Sequence, residues 1–145
     1  MTSLKLVLPF PCKDLLPNKT LRGNWRSHFK QTAELRLATA LTALAQKPKG
    51  WTPLESYGVE LTFYAPDRRG RDRLNLAAAA KAMMDGLQPE RTVKDKSGLP
   101  LRTEPGAGII AGDSEEYFTG LFTLHPIRVD KRNPRSEWII QEMAR

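Results

Sequence analysis

Apolar and polar residues alternate over Leu4-Lys5-Leu6-Val7-Leu8, and Pro9 and Pro11 end the run, so the period of two predicts a short strand at or near a sheet edge. From about Trp25 to Gln46 the period lengthens. Phe29, Ala33, Leu37, Ala40, Leu41 and Leu44 recur at helical spacing, with Pro48 as the stop, which predicts the longest helix. Tyr57 to Ala65 alternates again as a half-buried strand and runs directly into a cluster of arginines. Leu74 to Leu87 reads as a second helix ended by Gly86, with Ala77 to Ala80 small enough to admit a second helix or the sheet at close range. Gln88 to Gly108 mixes prolines, glycines and charges without periodicity and predicts a mobile loop. Ile109-Ile110-Ala111 is a short apolar run, Tyr117 to Leu124 a further strand, and Lys131-Arg132-Asn133-Pro134-Arg135 a basic turn before Trp138-Ile139-Ile140. Nothing repeats at a fixed period.

The chemistry concentrates where the second strand meets the second helix. Arg68, Arg69, Arg71 and Arg73 surround Asp72, with Asn75 just beyond. Neighbouring guanidiniums repel unless an anion lies against them, and phosphate fits. A carboxylate facing phosphate is stable when a divalent cation such as Mg²⁺ sits between the two. The other reading is that Asp72 caps the helix and the arginines form a solvated turn. Lys81 and Asp85 share a helical stripe and can pair at four-residue spacing. Gly112-Asp113-Ser114-Glu115-Glu116 places acids behind a buried run, as a metal ligand on a rigid support would be, or forms a polar turn. At the front of the first helix, Lys19, Arg22, Trp25, Arg26, His28 and Lys30 interleave bases with aromatics, which suits a phosphate backbone and a stacking platform; alternatively Trp25 and Phe29 belong to the core.

At 145 residues and 40% hydrophobic, the chain fits one domain with one core. A net charge of +7 favours a polyanionic partner, nucleic acid first. No apolar run approaches the roughly 20 residues of a membrane span, and Met1 to Pro11 lacks a signal pattern, so a soluble, cytoplasmic protein is expected. The single cysteine, Cys12, excludes an internal disulfide, and with only His28 and His125 beside it the composition argues against a zinc site.

These residues carry a resemblance. Asp72-Arg73-Leu74-Asn75-Leu76, then Lys81, then Asp85-Gly86-Leu87, then Ile109-Ile110-Ala111-Gly112-Asp113, resemble the RusA family of Holliday-junction resolvases, in its phage and prophage branch. That branch shows an arginine-rich turn, Asp-x-Asp-Asn-Leu, a Lys six residues past the Asn, Asp-Gly-Leu, and later a Gly-x-x-x-Asp-Asp patch. Leu8-Pro9-Phe10-Pro11 and Asn24-Trp25-Arg26 also resemble its N-terminal strand and first-helix start. The resemblance covers about residues 4 to 125 except an insertion at about 88–107. It implies an α/β (α+β) domain, a small mixed sheet packed with two main helices, homodimeric, that cuts branched double-stranded DNA with Mg²⁺, for which Mn²⁺ can substitute. Asp72 and Asp113 match metal-binding aspartates and Lys81 matches the catalytic lysine. Arg68, Arg69, Arg71, Arg73, Asn75, Arg22, Trp25, Arg26 and Lys30 are the candidate DNA contacts. The chain departs from the pattern at Leu74, where the family has a second aspartate, and at Gly112, where it often has an acid. Two alternatives stand beside an active nuclease: a RusA-like protein that binds branched DNA with weakened or lost catalysis, and a non-enzymatic basic nucleic-acid-binding module.

Overall fold

The computed structural model describes residues 2–11, 25–71 and 73–144, with the backbone alone for residues 25–29 and 73–75. In chain order its elements are β1 (Ser3–Leu8), α1 (Trp25–Gln46), β2 (Tyr57–Ala65), α2 (Arg73–Leu87), β3 (Pro89–Lys94), β4 (Pro100–Ala107), β5 (Phe122–Leu124), β6 (Arg128–Val129) and β7 (Arg135–Glu142). The fold is α+β. The main sheet runs β1-β7-β2-β5, with β6 also on β2, and β3 and β4 form a separate two-stranded sheet. Antiparallel pairing joins β1 to β7 and β7 to β2, whereas β5 and β6 lie parallel to β2, so the sheet is mixed. β1 is the edge strand that its flanking prolines predict.

The period of two explains the inner face of the sheet. Leu4, Leu6 and Leu8 of β1, Tyr57, Val59, Leu61 and Phe63 of β2, and Trp138 and Ile140 of β7 all point inward and are buried. Ser136 is buried among them because its hydroxyl is used twice. It accepts the Trp138 indole N–H at 2.9 Å and donates to the Pro9 carbonyl at 2.8 Å. At the outer edge of β1, the Gln46 side chain imitates a neighbouring strand, accepting the Val7 N–H at 2.8 Å and donating to the Val7 carbonyl at 2.7 Å.

Residues of both helices complete the core, and of the recurrence that predicts α1 only Ala40, among the described side chains, lies on its buried face. Leu37, Leu41 and Leu44 are exposed, while Leu35, Thr39, Ala40 and Ala43 are buried. The reason is the closeness of α2. A Cβ on Gly86 would stand 2.6 Å from the Arg36 carbonyl oxygen and 3.2 Å from Thr39 Cβ, so only small side chains fit along this seam. Gly86 therefore does not end α2, as its position predicts, but lies inside it where the two backbones meet. Of the alanine run, Ala79 and Ala80 are buried and Ala78 is exposed, and the closest approach of the helices is at Gly86, beyond the run.

The segment expected to be a mobile loop at about 88–107 is a β-hairpin. β3 and β4 pair antiparallel, with irregular register between Pro89 and Arg91 and between Val93 and Lys94. Both strands are exposed over most of their length, so no inward-outward alternation marks them in the sequence. Their turn is built by Asp95, whose Oδ1 accepts the Ser97 and Leu99 N–H groups and the Ser97 hydroxyl, and by Gly98 at φ 87°. The strand expected over Tyr117 to Leu124 is only Phe122–Leu124, because Tyr117 and Phe118 turn back to the Ser114 carbonyl at 3.0 and 2.8 Å. No helix among the described residues is long and apolar enough to cross a membrane.

Replacing Gly86 with alanine inserts a methyl against the backbone of α1. It should destabilise the protein by about 1–3 kcal/mol in chemical denaturation, with the unfolding slope unchanged. Wild-type stability in that variant would show that the helices separate without cost.

Candidate functional site

An acid–ammonium–acid cluster forms where α2 meets the segment after β4. The Lys81 ammonium donates to Asp85 Oδ1 at 2.7 Å and to Asp113 Oδ2 in a still shorter contact. The Lys81–Asp85 pair follows from helical spacing, but Asp113 arrives from 32 residues away. Burial works against the ammonium, yet the hydrogen bonds and charges of Asp113 and Asp85 outweigh it and hold the Lys81 pKa above the ordinary lysine value. Lys81 is therefore a fixed positive charge at neutral pH and not a general base.

Asp113 is placed by a segment pinned at almost every residue. The last carbonyl of α2 lacks a helical partner, and this segment supplies one: Leu87 accepts the N–H groups of Ile109 and Ile110, and Gln88, just past the helix, accepts that of Gly108. Side chains hold the opposite side. Lys47 Nζ donates to the Ala107 carbonyl at 2.9 Å, Trp51 Nε1 to Ile109 at 3.1 Å, and the Tyr57 hydroxyl to Gly112 at 2.8 Å. Burial first, and then the charge of Asp113, push the Tyr57 pKa far above its ordinary value, so this phenol remains a neutral donor. With Ile109 and Ile110 fully buried, the acid patch sits on the rigid support that its apolar run predicts.

Beside the cluster lies a cleft of about 240 Å³ whose lining residues are Arg36, Lys81, Asp85, Gln88, Arg91 and Asp113, each charged or an amide. Arg36 of α1 and Arg91 of β3 both bond Glu104 of β4 through Oε2, at 2.5 and 3.1 Å, and Arg102 reaches its other oxygen at 3.2 Å. Arg36 Nε also donates to the Pro105 carbonyl at 3.1 Å. Burial alone would raise the Glu104 pKa; the three guanidiniums reverse this and hold it below the ordinary glutamate value. Arg36, Arg91 and Glu104 carry no local motif, since 68 residues separate Arg36 from Glu104, and only the arrangement of the hairpin against α1 makes them visible.

Of the candidates in the sequence, the structure brings together Lys81 and Asp113. Asp72 and Arg22, and the side chains of Trp25, Arg26, Arg73, Leu74 and Asn75, lie outside the described residues. Lys30, Arg68 and Arg69 are exposed. Arg69 reaches Asp67 at 3.8 Å, and Arg71 is held more fully: it bonds Asp67 at 2.9 Å, donates to the carbonyls of Asp67 and Arg69, and stands over the Phe10 ring, leaving its side chain 13% exposed. The arginine turn thus carries its own counter-anion, Asp67, whose pKa is lowered by hydrogen bonds from Arg71 and from the Arg69 backbone. At Gly112 a Cβ would stand 2.6 Å from the Tyr117 ring, so the acid that the resemblance leads one to expect at this position does not fit unless that ring moves.

Among the described residues no three acids, histidines or cysteines stand close enough together to hold a metal ion. Asp85 and Asp113 supply two carboxylates, both engaged by Lys81, and a divalent cation here needs a further oxygen donor. Asp72 is the candidate in the sequence for that donor. The helix itself sets a distance: from Arg73, where α2 begins, to Lys81 is about 12 Å of helical rise. No family model matches the sequence, and no curated protein matches it.

Because the Glu104 pKa is lowered on folding, its contribution to stability is fully present above the ordinary glutamate value of about 4.3 and is lost as pH falls through the folded value. Glu104→Gln should remove this acid-sensitive part and speed amide exchange across β3 and β4 at neutral pH. Exchange in the hairpin that matches wild type would show that the guanidinium cluster does not anchor it.

Proposed function

We propose that this chain is a Mg²⁺-dependent, structure-selective endonuclease that resolves four-way DNA junctions by paired nicks, acting as a homodimer. One observation carries the reading. Lys81 and Asp113, the two described positions that the resemblance pairs as catalytic lysine and metal-binding aspartate, are in direct contact at a cleft walled by arginines. In this reading Asp72 and Asp113 would hold Mg²⁺, which when bound polarises the scissile phosphate and activates water. The chain's own groups do the remaining work. Arg36 and Arg91 draw a backbone phosphate to the cleft, and Glu104 holds the two guanidiniums at a fixed separation. Lys81, charged throughout the neutral range, offsets the negative charge that builds on the leaving oxygen. Two-fold symmetry of the junction matches two copies of the site related by an isologous interface.

A second reading, junction binding with weakened or lost cleavage, has specific support. Leu74 removes one expected carboxylate, and Tyr117 fills the space beside Gly112 where another would stand. The experiment that separates the readings is incubation of purified protein with a labelled mobile four-way junction, with and without Mg²⁺ or Mn²⁺. Paired nicks that need the metal support the nuclease, and Lys81→Ala should then slow cleavage by roughly 10²–10³-fold while the protein stays folded. Leu74→Asp should raise metal-dependent cleavage and weaken metal-free binding, because in this reading it adds an anion to a phosphate-facing surface. Selective junction binding without cleavage in either metal would establish the second reading. Equal binding of linear and branched duplex, whatever the metal, would leave only a basic nucleic-acid-binding module, and a monomeric mass with junction present would defeat the resolvase reading.

A further inference from the structure

The hairpin presents a different surface from the cleft it walls. Of its three acids, Glu90 is exposed at the start of β3, away from the turn, and the other two are consumed within the protein: Asp95 accepts the hydrogen bonds that build the turn, and Glu104 lies among Arg36, Arg91 and Arg102. What remains to face outward near the tip is Lys94, Lys96, Leu99 and Leu101. Leu99, where the turn closes, and Leu101, in β4, are 64% and 61% exposed. Glu104 faces α1 through Arg36, whereas both leucines stand open to solvent.

Two exposed leucines beside two unpaired lysines on a rigid ribbon fit a partner that is both anionic and locally apolar. Duplex DNA shows such a combination where base stacking is interrupted. A two-stranded ribbon enters the major groove, and apolar side chains wedge between bases that unstack at low cost. Position supports this partner. Arg91 lines the cleft, and the turn begins at Asp95, four residues or about 13 Å further along β3, so a strand held at the cleft extends past the hairpin tip. The base of the ribbon is fastened by Arg36 to Glu104 and Pro105 and by Lys47 to Ala107.

We propose that the β3–β4 hairpin recognises the branch point of DNA, setting Leu99 and Leu101 against bases unstacked at the crossing and Lys94 and Lys96 against the flanking phosphates. This rests on the reading of the chain as a junction-binding protein and assigns to the hairpin the selection of branched over linear duplex.

The test uses a four-way junction carrying 2-aminopurine at the branch and a linear duplex of the same sequence, with the full chain and two double variants. None of the four side chains is buried, so Leu99→Ser/Leu101→Ser and Lys94→Ala/Lys96→Ala should keep the wild-type melting temperature. The leucine variant should lose the rise in branch-point fluorescence and bind the junction roughly tenfold more weakly, with linear binding unchanged. The lysine variant should make the log–log salt dependence of junction binding shallower by about 1.8, or about 0.9 for each phosphate contact. If wild type prefers the junction but the leucine variant keeps its affinity and fluorescence, the hairpin assignment alone is overturned. Equal losses on junction and linear duplex overturn it too, since they show general affinity without branch recognition. A wild-type protein without junction preference instead defeats the functional reading on which the assignment rests.

Discussion

The closeness of α1 and α2 at Gly86 governs the rest of the molecule. Because a Cβ on Gly86 would stand 2.6 Å from the Arg36 carbonyl oxygen, the two helices share one narrow seam of glycine, alanine and threonine. Two consequences follow from the same contact. Asp85, the residue before Gly86, is brought beside the α1 surface, and Arg36, whose backbone makes the contact, sends its guanidinium to Glu104. The helix crossing thus places a cluster on α2 and an arginine on α1 at one cleft. A leucine on the seam would gain apolar area, but would push Arg36 and Asp85 apart. The geometry of the cleft is therefore a reason for small side chains there that is separate from core stability.

The same crossing gives the hairpin its footing. A two-stranded ribbon is marginal in water, because it has no face to bury. Here β4 lies against α1, and the Arg36–Glu104 pair, with both side chains about 15% exposed, is shielded enough from solvent to count for more than a surface ion pair. Toward the tip the ion pairs become exposed, and Arg91 and Arg102 add little by themselves. Order in the ribbon then depends on its base and on the Asp95 turn.

Legibility in the sequence followed burial. β1 and β2 alternate against a core on one side, and their limits could be read directly from the chain. The hairpin buries almost nothing except Ala107, so its residues obey no period; the Asp95–Gly98 turn and the β-branched Thr92-Val93 were the available signals. In α1 three leucines misled because apolar character is a guide to burial only where space is ample, and at a tight crossing alanine and threonine are buried while Leu37, Leu41 and Leu44 are left outside. Lys81 and Asp113 were visible as separate candidates through their motifs. Their contact, like that of Arg36 with Glu104, depends on where the chain returns after a long excursion, and no local spacing records that.

Charge accounting explains why the cleft needs Glu104. Its lining holds three cations, Arg36, Lys81 and Arg91, against two anions, Asp85 and Asp113. Lys81 is already satisfied by both acids, which leaves the two arginines facing each other across the opening. Without a shared carboxylate they would repel and turn outward to solvent, where a guanidinium attracts phosphate but does not position it. Glu104 accepts from both through a single oxygen, so it lowers their mutual repulsion while fixing where their remaining donors point. Counting Glu104 balances the three cations with three anions, and Arg102, on the other oxygen of Glu104, leaves an excess of one positive charge that a single phosphodiester would neutralise.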